Sequence, residues 1–116
     1  MPKTGVEIKI GAIIYIMLMY PKICIIFDEK ISLINFRNKD LNNLKNSILN
    51  QVNNRPEISS KDLQQKMINQ GFAVQINNFV QSNYPTRLNL DPKQLNEENM
   101  CKIFEELLSL LNFRNI

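Results

Sequence analysis

Residues 11–27 read GAIIYIMLMYPKICIIF, and a stretch this apolar can end in only a few places: across a membrane, in an export signal, or inside a core. A spanning helix needs about 20 predominantly apolar residues. Here Lys9 and Lys22 bound the uncharged run, and Pro21 breaks it just before the second lysine, so a spanning helix would have to bury Lys22. An export signal would use Lys3 and Lys9 as its positive end, yet Phe27, Asp28 and Glu29 stand where a small-x-small cleavage site belongs. The remaining fate is a helix apolar on nearly every face, which belongs in the centre of a small bundle. Pro21 would end that helix, and Ile23, Cys24, Ile25, Ile26 and Phe27 are expected to continue the core after a bend. The rival, a small membrane-associated or exported protein using residues 10–27, is decided by whether residues 10–20 are buried inside the fold.

At 116 residues the chain can bury about two-thirds of its unfolded surface without metals or disulfides, as a single domain over residues 1–116. Three glycines and five prolines supply little of the turn chemistry that an all-β sandwich needs at short intervals. The fold class is therefore all-α, a small bundle of about six helices.

Residues 7–20 read as the first helix, with Glu7 in the first turn, where the helix dipole favours an acid. Residues 22–29 read as a short helix; the alternative is a strand, since Ile25, Ile26 and Phe27 favour sheets, but no partner strand is evident. In FRNKDLNNLKNSILNQV, Leu41, Leu44, Ile48 and Val52 recur at helical spacing to hold the scaffold, while Asn and Lys fill the other faces. Asn38 can cap this helix and Asp40 sits in its first turn. After a break at Pro56, Ser59 is an N-cap, Asp62 takes the N3 position and Ile58 can staple onto Leu63. Gly71 suits the left-handed residue that closes this helix of residues 60–70. Phe72, Ile76, Phe79 and Val80 stripe a further helix. The longest polar, irregular stretch is SNYPTRLNLDP, and residues 82–92 are a candidate hinge before the last helix. Asp91 and Pro92 read as cap and first helical position, and Met100, Ile103, Phe104, Leu107, Leu108 and Leu111 pattern the helix that follows.

Chemistry is conspicuous by what is missing. The chain has no histidine, the commonest general base and metal ligand. Cys24 and Cys101 lie far apart among apolar neighbours, as buried reduced thiols do, and a disulfide between them would need an export route. A cytoplasmic location fits. Asp28–Glu29, Glu97–Glu98 and Glu105–Glu106 are helix neighbours that point about 100° apart and do not converge on one atom. Gly5, Gly11 and Gly71 are too scattered for a phosphate loop. No catalytic, cofactor or metal site is assigned, and the chain is expected not to be an enzyme. The net charge is +3, but the basic residues are spread singly, so no direct nucleic-acid partner is expected. Tyr15, Phe27, Phe36, Phe72, Phe79 and Phe104 lie on apolar stripes and are assigned to the core. Phe113 follows the last leucine and precedes Arg114, so these two are the candidate partner-binding residues, with simple end-packing as the alternative. A core this apolar in a small domain can also bury a patch by dimerising.

An apolar helix ending in MYPK, a short segment closing in ISLINF, and FRNKDLNNLKNSIL together resemble the start of the C-terminal helicase-binding domain of bacterial DNA primase. In that family a leucine-rich helix ends near His-Pro or Tyr-Pro, and an acidic, apolar segment leads to a helix start of the type Phe-Ser/Arg-Asp/Asn-x-Asp-Leu. Tyr20–Pro21, Phe36, Asp40, Leu41 and Leu44 match those positions, and the short capped helix ending in QGF is also similar. The resemblance extends over most of residues 7–110 and rests on structural, not catalytic, motifs. It implies an all-helical bundle similar to the N-terminal domain of replicative helicase, whose role is to dock on that helicase and adjust priming. Two departures qualify it. The primase's zinc-binding module and acidic polymerase core have no counterpart here, so this chain is not expected to synthesise primers. In the family the last long helix leads into a helical hairpin that carries much of the helicase contact, whereas this sequence closes with FRNI, so it corresponds to the bundle part.

Overall fold

Because α1 (Gly5–Met19) is apolar on nearly every face beyond Lys9, that part of it can be stabilised only where other elements cover it on every side. The computed structural model, which describes residues 5–111, places it there. Around it run α2 (Pro21–Ile26), α3 (Asp28–Ser32), α4 (Lys39–Asn54), α5 (Ser60–Met67), α6 (Ala73–Gln81), α7 (Tyr84–Arg87) and α8 (Glu97–Leu111), with no β-strand among the described residues. α1 packs against α2, α4, α5, α6, α7 and α8, and Ile13, Ile14, Ile16, Met17 and Leu18 are wholly shielded from solvent. The protein is a small all-α bundle, and the apolar run of residues 10–18 is its centre. No helix among the described residues is long and apolar enough to cross a membrane. The Cα radius of gyration is 13.1 Å, close to the roughly 13 Å of one packed domain of this length.

Pro21 determines how α1 ends. It has no N–H to give the carbonyl four residues earlier, so the Met17 carbonyl instead receives the Cys24 thiol at 3.8 Å. The next carbonyl, that of Leu18, accepts from Ser60 Oγ at 2.7 Å, which ties the start of α5 to the end of α1. Residues 22–29 divide at Phe27 into α2 and α3, both helical. Ile23, Cys24 and Phe27 are buried, but Ile25 and Ile26 are 43% and 61% exposed, which corrects the expectation that the whole run enters the core. At 100° per residue, positions 23, 24 and 27 share one side of so short a helix and positions 25 and 26 take the other.

The local end signals operate as the residue types require. Asn38 accepts from the Leu41 N–H at 3.0 Å and Ser59 from the Asp62 N–H at 3.1 Å. Gly71 lies at φ 99°, between α5 and α6. Asp91 and Pro92 open a separate one-turn 3-10 segment, Pro92–Gln94, closed by a reciprocal capping box. α8 itself begins later, where Asn96 accepts from the Asn99 N–H at 2.9 Å.

Two features depart from the sequence reading. The polar stretch 82–92 contains α7, bracketed by Asn83 and Asn89 in the left-handed conformation (φ 56° and 57°), which asparagine tolerates better than most residues. This turn drives Tyr84 into the bundle, where its ring is fully buried between Tyr15 and Phe79, with centroids 5.6 Å and 6.5 Å away. Lys45 belongs to the α4 faces expected to be solvated, yet it is only 2% exposed. Its ammonium donates to the Ile34 carbonyl and lies 6.0 Å from the centre of the Phe36 ring. Asn42, one turn earlier on α4, accepts from the Phe36 N–H at 3.1 Å. These polar side chains of α4 therefore hold down the strap that joins it to α3, with Ile34 and Phe36 buried beneath.

Candidate functional site

The last turns of α8 carry more apolar surface than the core can take. Met100, Phe104, Leu107, Leu108 and Leu111 face inward, while Ile103 is half-buried and Leu110 is 58% exposed. Ile103, Leu107 and Leu110, spaced three and four residues apart, fall on one edge of the helix. Ile8 on α1 and Leu88 and Leu90 beyond α7 face the same edge, and together they line a groove of about 380 Å³. Lys9, Arg87 and Glu106 add charge to its walls. Arg87 is oriented by donating from Nε to the Ser82 carbonyl at 2.7 Å. Leu111 is the last described residue; the candidate partner-binding residues Phe113 and Arg114 lie just beyond it, outside the described residues.

A second cleft, of about 400 Å³, opens between α1, α4, α6 and α7. Ile10, Gly11, Leu41, Phe79 and Tyr84 provide its apolar surface, and Glu7, Asn38, Gln75 and Asn78 the polar part. Leu41, expected on the scaffold stripe with Leu44 and Ile48, is only half-buried and lines this cleft, whereas Leu44 and Ile48 are fully buried.

The titratable groups are tuned by burial. The Cys24 thiol is pushed up to about 12, first by burial and then by the nearby Asp28 carboxylate. Burial also raises the Cys101 thiol, helped by Glu97 and Glu105. Both are free thiols, held protonated, the opposite of the low-pKa thiolate that nucleophilic chemistry uses. Burial lowers the pKa of Lys45 and raises those of Tyr15 and Tyr20. Among the described residues no group of three or more Cys, Asp or Glu side chains is placed to hold a metal ion. No described buried side-chain nitrogen or oxygen lacks a hydrogen-bond partner.

The sequence reading missed Leu88, Leu90 and Tyr84 because they sit in a polar, proline-containing stretch. The signal was present in the alternation of RLNL and in a tyrosine set directly before proline. Leu110 was also missed, although it continues the spacing of Ile103 and Leu107. Comparisons of the chain with protein-family models, with curated proteins and with solved structures return no match.

Proposed function

We propose that the chain is a non-catalytic protein-interaction domain of a primase-like replication protein, which docks on the replicative DNA helicase in the cytoplasm and modulates priming. One observation carries the reading: most of the residues that match the family's pattern do structural work in this bundle. Pro21 ends α1 and opens α2, Phe36 and Leu44 are buried, and Asp40 occupies the first turn of α4. The surface best suited to contact is the groove beside the end of α8, where apolar side chains stand among charges of both signs. Phe113 and Arg114, next in the chain, are the residue types that most often anchor interfaces.

The test is size-exclusion chromatography with light scattering on the chain, with and without the replicative helicase of the same cell. Co-elution supports the reading, and loss of co-elution in Leu110→Asp, with helicity retained, assigns the contact to the groove. Separation of the wild-type chain from the helicase at tens of micromolar, roughly the range of weak transient encounters, overturns it.

A further inference from the structure

The outward side of α2 carries an apolar pair, Ile25 and Ile26, that no other element among the described residues covers. Ile25 and Ile26 share a shallow depression with Pro56, from the turn between α4 and α5, and with three charged residues, Lys22, Glu57 and Glu97. Glu57 already has a partner within the chain, Arg55 Nε at 3.6 Å. Lys22, on α2, and Glu97, in the first turn of α8, form no ion pair among the described residues. The patch thus consists of an apolar centre with one available positive charge and one available negative charge.

We propose that this face joins two copies of the chain as a two-fold dimer, in which Ile25 and Ile26 pack on their counterparts and Lys22 of each copy meets Glu97 of the other. The charge pattern selects this occupant. A strongly acidic or basic partner, or an anionic membrane surface, would be repelled by one of the two charges. A second copy, turned by a two-fold axis, presents the opposite charge at each position, and such an isologous contact needs only one self-complementary patch. Water is then excluded from two branched apolar side chains per copy, the kind of exposed cluster that marks interaction surfaces. The proposal does not depend on helicase binding and is tested on the chain alone.

Sedimentation equilibrium from about 10 µM to about 1 mM, a span that captures weak interfaces, should show the mass rising from 13.6 kDa toward twice that value. Ile26→Glu, at a solvent-exposed position, should leave the helical circular dichroism unchanged and weaken association by about tenfold or more. Lys22→Glu should weaken it by up to about fivefold, and Lys22→Glu combined with Glu97→Lys in one chain should restore it. The charge variants alter only exposed side chains, so they report independently of any apolar change. A wild-type chain monomeric throughout, a dimer indifferent to Ile26→Glu, or a double variant no better than Lys22→Glu alone overturns the proposal.

Discussion

Gly11→Ala should destabilise this protein, although the same change in an ordinary helix stabilises it by about 1 kcal/mol. A β-carbon built on Gly11 would stand 2.5 Å from Tyr84 Cζ and 2.9 Å from its Cε1, with the hydroxyl closer still. Carbon atoms in contact settle at about 3.5–4.0 Å, so the ring would have to retreat by roughly 1 Å. It has little room to do so, because Tyr84 is fully buried and flanked by Tyr15 and Phe79. Overpacking of this kind costs about 1–3 kcal/mol, and expelling the ring forfeits a similar amount of apolar burial, about 1.5–3 kcal/mol. After the gain in helix propensity, a net loss of up to about 2 kcal/mol is expected. Urea unfolding followed by far-ultraviolet circular dichroism should show a lower midpoint at unchanged slope. In a Tyr84→Ala background the obstacle is gone, and Gly11→Ala should instead stabilise, a change of sign that a double-mutant cycle reads directly. If Gly11→Ala matches or exceeds the wild type in stability while Tyr84 is intact, the seating of α7 against α1 is refuted.

Four further outcomes are expected. The unfolded chain protonates its lysines up to about pH 10.5, whereas Lys45 in the fold loses its proton earlier because burial lowers its pKa. The unfolded state therefore binds more protons between those two values, and stability relative to Lys45→Met should rise with pH across that window, measured by urea titrations at stepped pH; a flat difference contradicts the burial of the ammonium. Cys24 carries the opposite sign: its folded pKa of about 12 lies above the ordinary 9.0, so its contribution is complete below about pH 9 and is lost as pH rises toward 12, relative to Cys24→Ala. In native protein Cys101, half-buried, should react with an aromatic disulfide reagent well before Cys24, and equal rates would show that Cys24 is not shielded. Gly71→Ala meets no neighbour within 4 Å but must adopt φ 99°, at a cost of about 1–2 kcal/mol, and Gly71→Asn should cost less; equal stability of all three in thermal unfolding would remove Gly71 as a left-handed hinge.

Much of the helical framework is legible in the chain because its signals are local. Asn38, Ser59 and Gly71 act on backbone groups within a turn of themselves, and the stripe of Leu44, Ile48 and Val52 identifies its own inward face by spacing alone. The candidate surfaces are less legible. The groove joins residues near positions 8, 90 and 107, which only the packing of α8 and α7 against α1 brings together.

By itself, the sequence determined an all-α chain with a central apolar helix, since a segment with no polar side cannot be stable at the edge of a bundle. Only the tertiary structure decided that Ile25 and Ile26 face outward, that Tyr84 is buried against a glycine, and that Lys45 lies inside. The reason is that each of these depends on a neighbour remote in the chain or folded back over it. A lysine's hydrocarbon stem packs wherever apolar surface adjoins it, but its ammonium can stay buried only with an acceptor in place. Here the acceptor is the Ile34 carbonyl, delivered by the strap that folds back across α4.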